Sequence, residues 1–303
     1  MKRSLLFLSL AALLLTLAGC GAQTEPAQIA ATTLPVYEFT QRLCEGTPLT
    51  VTRLVTEEVS CLHDYTLNVK QVKAAEAAEA IVISGAGLEE FLDDILLNAN
   101  TIDASQGIEL LTPEEAHDHE HSHEEEHSHE EEHEGHHHEN DPHIWLSPSN
   151  AGIMARNIGA GLTQMYPEYA DTFAANLDIL TEELNELYTF GEEALSSLSC
   201  REIITFHDGF AYFAQAFDLE ILEAVEEESG SEASARELIH LIEEVEHHDL
   251  PAIFTEVSGS VSAAEIIARE TGCARYTLSM AMSGDSYFDA MYRNIHTIRE
   301  ALE

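Results

Sequence analysis

Basic residues are scarce in this chain of 303 residues. Lysine and arginine together number 13 against 56 aspartates and glutamates, which gives a formal net charge of −43. Because so acidic a surface repels phosphate backbones and attracts cations, the composition excludes nucleic acid as a partner and favours a cationic ligand.

Familiar motifs of nucleotide binding and hydrolysis are also missing. The chain has neither a Walker loop nor a GxSxG elbow. Gly85-Ala86-Gly87 begins like a dinucleotide-binding loop, but Glu90 stands where the third glycine belongs. We therefore interpret this segment as a tight turn between a strand and a helix.

Long apolar runs are absent apart from one near the N-terminus. It extends from Leu5 to Leu17 after a basic start and precedes Ala18-Gly19-Cys20. This pattern is typical of a secretory signal and is short for a membrane span. The ending resembles the lipobox of bacterial lipoproteins, so we expect a signal peptide at residues 1–19, lipidation of Cys20, and a lipidated tether at residues 20–28 that anchors the chain to a membrane. The alternative is an ordinary cleaved signal that ends in a chance cysteine.

Four further cysteines remain, and none lies in a CxxC or zinc-finger spacing. Outside the cytoplasm they can form disulfides, and one of three possible arrangements pairs the first two and the last two. The second also stands two residues before a histidine, where it could lie near a metal. Spacing leaves these options open for Cys44, Cys61, Cys200 and Cys273.

The segment at residues 117–139 contains ten histidines, ten acidic residues and no apolar residue. It cannot join a packed core, so we expect a solvated loop. Imidazole and carboxylate groups at this density predict a low-affinity metal collector. The alternative is an acidic spacer with incidental histidines. The collecting side chains would be His117, His119, His121, His123, His127, His129, His133, His136, His137 and His138.

Short apolar runs alternate with helical patterns along most of the chain. This alternation predicts an α/β fold of parallel sheets with helices on both faces. A long helical stretch separates two such halves and would act as a stiff connector. We expect an N-terminal lobe at residues 29–165, a linking helix at 166–198 and a C-terminal lobe at 199–303. The predicted strands are 50–55, 80–84, 202–206, 219–224, 252–256 and 275–278; the predicted helices are 67–79, 88–97, 147–165, 167–198, 210–217, 232–247, 263–270 and 287–302.

Three histidines and one aspartate stand out by position. His63 and His207 each follow a predicted strand, His143 opens the first connecting helix, and Asp285 follows the last strand. Side chains at the carboxyl ends of parallel strands face the ligand crevice of open α/β sheets. Together the four would make a closed tetrahedral zinc site, although spacing alone favours an ordinary surface or core role for each single histidine. The remaining histidines have weaker cases: His240, His247, His248 and His296.

The sequence around these residues resembles that of a known family. It resembles the zinc and manganese solute-binding lipoproteins of bacterial ABC importers, known as cluster A-I, over nearly the whole mature chain. The motifs that carry the resemblance are His63-Asp64-Tyr65, residues 141–148 (DPHIWLSP), residues 207–213 (HDGFAYF) and Gly284-Asp285-Ser286-Tyr287. A His-rich insertion before the Asp-Pro-His element is typical of the zinc branch.

The resemblance implies two Rossmann-like lobes joined by a long rigid helix, with the metal in the cleft between them. It implies His63, His143, His207 and Asp285 as ligands, and Zn²⁺ rather than Mn²⁺, because manganese-type members usually carry a carboxylate at the third position. Candidates to orient the ligand imidazoles are Asp64, Asp208 and Glu256. Leu62 stands where the family often has proline before the first ligand.

The function implied is a monomeric, lipid-anchored protein on the extracytoplasmic face that delivers zinc to an ABC permease and its ATPase. We expect no enzyme activity. A zinc hydrolase is a second hypothesis, but Asp285 would fill the open coordination position that activation of water requires. A surface adhesin is a third, and no feature of the sequence is specific to that role.

Overall fold

The computed structural model describes residues 27–59, 62, 65–112, 140–225, 233–257 and 261–303. Within these residues the strands form two parallel four-stranded sheets, ordered β2-β1-β3-β4 and β6-β5-β7-β8. The strands are β1 (Ile29–Ala31), β2 (Val51–Arg53), β3 (Ala80–Ile83), β4 (Thr101–Asp103), β5 (Glu202–Thr205), β6 (Glu220–Ala224), β7 (Ala252–Glu256) and β8 (Ala274–Leu278).

Helices connect the strands and cover the sheets. Three 3₁₀ segments lie at Glu90–Leu92, Ile144–Leu146 and Pro167–Tyr169. The α-helices are α1 (Leu34–Leu43), α2 (Val69–Ala77), α3 (Asp93–Leu96), α4 (Pro148–Met165), α5 (Ala170–Leu195), α6 (Ala211–Phe217), α7 (Ala235–His247), α8 (Ser262–Thr271) and α9 (Tyr287–Leu302). In the described residues, no helix is both long enough and apolar enough to cross a membrane.

Each sheet has apolar side chains packed on both faces. The outer face of the first sheet contributes Ala30 and Ile81 to a small cluster, and the outer face of the second contributes Ile204 and Ile253 to another. The inner faces of both sheets share one large cluster with α1, α4, α5 and α9. This continuous core explains how two separate sheets form one molecule, because their inner faces exclude water together.

The connector between the halves is α5. It has 26 residues, which corresponds to about 39 Å at 1.5 Å per residue. Its buried face includes Phe173, Leu180, Leu184 and Leu187, and it packs along α4 and α9. The predicted α/β fold of two parallel-sheet lobes with a long linking helix is therefore confirmed.

Some elements differ from the sequence prediction. β1, α1 and β4 were not predicted, and the helix expected at residues 88–97 is reduced to a 3₁₀ segment and one turn of α3. The reason lies in Glu89, whose buried carboxylate reaches back to the amides of Ser84 and Gly85 and to the hydroxyl of Thr32. The helical turn begins only after this residue.

The same contacts settle the interpretation of Gly85-Ala86-Gly87. Gly85 has φ +82°, so the segment is a tight turn. In a nucleotide-binding loop the amides at such a turn point at phosphate, whereas here two of them donate to Glu89. Burial raises the pKa of Glu89 to about 7.

The disulfide between Cys200 and Cys273, one of the arrangements open from the sequence, is absent from this structure, and both are free thiols. Cys44 is also a free thiol. Cys200 precedes β5 and Cys273 precedes β8, and these strands lie on opposite sides of β7. Strands two positions apart are separated by about 9.6 Å, which exceeds the Cα separation that a disulfide bridges. Cys61 lies outside the described residues.

Candidate metal centre

His143 and His207 meet in the structure. Their Nε2 atoms lie 3.5 Å apart, and the two rings are nearly perpendicular at 84°. Two nitrogens bound to one tetrahedral zinc at about 2.05 Å are themselves about 3.4 Å apart. The pair therefore already has the separation that a shared zinc ion requires.

His143 is held by the motif in which it lies. Its side chain is buried, and Asp141 Oδ1 accepts hydrogen bonds from both the ring Nδ1, at 2.7 Å, and the backbone N–H, at 2.9 Å. Because Nδ1 donates to a carboxylate, the proton is fixed there and Nε2 keeps its lone pair for a metal. Pro142 between the two residues fixes the backbone of this short loop.

Asp141 is itself anchored. Its backbone N–H donates to Leu111, and its carbonyl accepts from the buried hydroxyl of Tyr212 on α6. Its second carboxylate oxygen, Oδ2, is buried without a hydrogen-bond partner among the described residues. A buried carboxylate beside an imidazole favours positive charge at this site.

His207 lies two residues after β5, and Glu256 ends the neighbouring strand β7. The carboxyl ends of these parallel strands bring Glu256 Oε2 to 4.0 Å from His207 Nδ1. That separation is too long for a hydrogen bond. The Glu256 carboxylate attracts the ring electrostatically when the ring carries a proton or binds a metal ion. Asp208 is half-buried beside His207.

Gly209 lies against both imidazoles. A Cβ at this position would come 2.9 Å from His207 Cδ2, 3.0 Å from His143 Cε1 and 2.6 Å from Met280 Cε. Only a residue without a side chain leaves the two rings where they are. Sequence analysis did not identify Asp141 or Gly209 as site residues, although both belong to the motifs that contain the histidines.

Among the remaining predicted site residues, the structure describes only some. His63 and Asp64 lie outside the described residues, as does the segment 117–139. Asp285 is exposed in the loop between β8 and α9. Within the residues that the structure describes, no three histidine, cysteine, aspartate or glutamate side chains form a group that could hold a metal ion. The structure therefore brings two of the four predicted ligands together.

The other described histidines do not join this site. His240 is half-exposed and pairs with Glu223, and His248 is partly buried and pairs with Glu202 at the start of β5. The ring of His247 contacts the ring of His248, and the ring of His296 contacts the ring of Phe190. These contacts agree with solvated or structural roles.

Trp145, the only tryptophan, connects the centre to the loop that follows the last strand. Its indole N–H donates to the carbonyl of Met280, its ring lies 5.5 Å from that of His143, and its carbonyl accepts from the Tyr287 hydroxyl. The indole is fully buried. Its fluorescence is therefore a built-in reporter for this region.

Comparisons with known proteins converge on one family. Residues 29–301 match the family model described as the periplasmic zinc-uptake complex component A. The zinc-binding protein AdcA of Streptococcus pyogenes serotype M3 is 29% identical over 288 residues, which cover 90% of this chain and 55% of AdcA. The zinc-binding lipoprotein AdcA of Streptococcus pneumoniae strain R6 is 29% identical over 321 residues, which cover 100% of this chain and 61% of that protein. The chain therefore spans little more than half the length of these curated relatives.

A solved structure shows the same fold. The crystal structure of ZnuA superposes with a TM-score of 0.74 at 28% identity and covers 91% of this chain and 99% of ZnuA. The shared fold includes both parallel-sheet lobes and the long connecting helix.

Proposed function

Because the chain belongs to the zinc-uptake complex component A family, we propose that it binds zinc outside the cytoplasm and delivers it to an ABC importer. Zinc is its cargo, and it acts as a carrier without catalysis of its own. The observation that carries this proposal is the pair of imidazole nitrogens, 3.5 Å apart, of His143 and His207. Uptake and release of zinc by the chain itself would form and break only metal–ligand bonds.

The chemistry of the pair favours zinc over manganese. Two imidazoles suit zinc, whereas manganese prefers carboxylate and water oxygens. Zinc-activated hydrolysis would need an open coordination position. In this proposal His63 and Asp285 complete a closed set of four ligands, and Asp64, Asp208 and Glu256 support the ligating imidazoles.

The acidic surface and the His-rich segment 117–139 supply the site with metal. A chain with a formal charge of −43 concentrates cations around itself, and many weak imidazole and carboxylate sites hold them briefly. Residues 1–19 would direct export, and lipid on Cys20 would anchor the monomer to the membrane beside the permease and its ATPase.

Deletion of residues 117–138 tests the two kinds of site directly. We expect the deleted protein to keep one tight zinc per chain and to lose several weak ones, as measured by calorimetric titration with zinc. A variant in which serine replaces the ten histidines separates a collector from a spacer, because it keeps the ten carboxylates. Loss of the weak sites in this variant supports collection by imidazole, and their retention would show an acidic spacer. Loss of the tight site on deletion would contradict the proposal.

Substitution Asp141→Asn tests the support of His143. Asparagine can still accept a hydrogen bond from the ring Nδ1–H but removes the negative charge. We therefore expect zinc affinity to fall about tenfold, as is common when a group that hydrogen-bonds to a metal ligand is replaced. Competition with a chromophoric chelator measures the change. Asp218→Asn is the matched control, because Asp218 is exposed and ends α6 in a left-handed conformation that asparagine tolerates. Equal affinities in all three proteins would show that Asp141 does not tune the site.

A further inference from the structure

The loop between β8 and α9, residues 279–286, is the segment that carries Asp285, and we call it the Asp285 loop. It is attached to the N-terminal half at several points. The carbonyl of Met280 accepts from Trp145 Nε1, and the carbonyl of Met282 accepts from the N–H of Leu34, where α1 begins. These bonds fix the first part of the loop.

Arg53 holds the peptide immediately before Asp285. It ends β2 in the first sheet, and its Nη1 donates to the carbonyl of Gly284 at 2.7 Å across 231 residues of sequence. The guanidinium also lies 5.8 Å from the centre of the Tyr37 ring. Gly284 has φ +96°, a conformation that other residues rarely adopt, so the loop has a sharp turn where Arg53 binds it.

Glu38 holds the chain immediately after Asp285. This residue of α1 accepts from the backbone N–H of Tyr287 at 2.6 Å and from the hydroxyl of Ser286 at 3.4 Å. Burial raises the pKa of Glu38, and the partial positive charge at the amino end of α9, which begins at Tyr287, offsets part of this cost of a buried carboxylate. The backbone on both sides of Asp285 is therefore bonded to charged side chains of the opposite half.

We propose that Arg53 and Glu38 are positioning residues that hold the Asp285 loop against the N-terminal half and so slow the release of bound zinc. The inference rests on the proposed function, since it takes Asp285 as a zinc ligand. A ligand whose backbone is fixed at both sides loses less conformational freedom on binding. The carboxylate can then leave the metal by backbone movement only if cross-lobe hydrogen bonds break first.

Electrostatic repulsion alone predicts that replacement of Arg53 would have the opposite effect on zinc binding from the positioning role. A guanidinium next to a zinc ligand repels the metal, so its removal would by Coulomb's law tighten zinc binding. The positioning role predicts that its removal loosens zinc binding. The sign of the change therefore distinguishes the two effects.

The test is the rate of zinc dissociation from Arg53→Met, measured by stopped flow with excess chelator and Trp145 fluorescence. We expect dissociation about tenfold faster than in the wild type, the size of effect that loss of one charge-assisted hydrogen bond gives. Arg269→Met is the matched control, because Arg269 is an exposed residue of α8 whose guanidinium pairs with the neighbouring Glu270. Its zinc dissociation rate should not change.

Further variants make the inference specific. Glu38→Gln should also speed dissociation, and Arg53→Lys, which keeps one charged donor, should restore part of the wild-type rate. In an Asp285→Asn background, Arg53→Met should have little further effect, because the residue acts through Asp285. A general loss of stability would instead add its effect in both backgrounds and would appear as a lower melting temperature.

The outcomes separate this inference from the proposed function. A wild type without a tight zinc site would contradict the proposed function. A wild type with a tight site whose Arg53→Met variant releases zinc at the wild-type rate or more slowly would overturn the positioning role alone. Equal effects of Arg53→Met in the wild-type and Asp285→Asn backgrounds would also overturn it.

Discussion

Replacement of His207 by alanine is expected to weaken the tight binding of zinc by about a hundredfold or more. A structural zinc site with four ligands is worth about 10–16 kcal/mol, so each ligand contributes about 3 kcal/mol, and 1.4 kcal/mol corresponds to a tenfold change. His143→Ala should have an effect of the same size, because the two Nε2 atoms share one position for the metal. Chelator competition measures both variants.

His240→Ala is the matched control for these substitutions. His240 is a half-exposed histidine that pairs with Glu223 away from the centre. Its zinc affinity should equal that of the wild type. If His143→Ala and His207→Ala also retain wild-type affinity, the tight site does not include these two histidines, and that result would contradict the account.

Gly209→Ala should weaken zinc binding almost as strongly although it removes no ligand. The added Cβ would lie 2.9 Å from His207 and 3.0 Å from His143, and real Cβ contacts are longer than this. The side chain of Met280 can move aside, but His143 is fixed by two hydrogen bonds to Asp141. Relief of these contacts displaces the imidazoles by several tenths of an ångström, which is comparable to the tolerance of about 0.5 Å within which a metal site must hold its ligands.

Gly152→Ala provides the comparison, because Gly152 is buried in α4 and its Cβ would meet only the ends of the Arg156 side chain, at 3.6 and 3.9 Å. Alanine within a helix is favoured over glycine by up to about 1 kcal/mol, so this variant should be at least as stable as the wild type. Its zinc affinity should not change. Wild-type affinity in Gly209→Ala would mean that zinc does not bind between the two imidazoles.

Local patterns were enough to predict most of the fold. The strand at residues 252–256 and the helix at 287–302 match the bounds of β7 and α9, because a short apolar run, a helical period and a helix cap are encoded within these segments. β1 and β4 were not predicted because each has only three residues, too few to show a period; β2 is equally short and was predicted only as part of the longer run 50–55. Their pairing with β3 depends on distant residues that no local window contains.

The centre was predictable in part for a similar reason. His207 follows a predicted strand, so its position at the carboxyl edge of a parallel sheet could be inferred from sequence. The support of His143 by Asp141 lies within a motif that the sequence analysis quoted, yet the direction of the carboxylate became evident only with the backbone. The contact of Arg53 with Gly284 joins residues 231 positions apart and had no signal in the sequence.

The most direct test of the central claim is a crystal structure of the zinc-loaded protein with anomalous diffraction recorded at the zinc absorption edge. We predict one strong anomalous peak between His143 Nε2 and His207 Nε2, about 2.0–2.1 Å from each, with His63 and Asp285 as the remaining ligands. A strong peak that neither His143 nor His207 contacts would contradict the account.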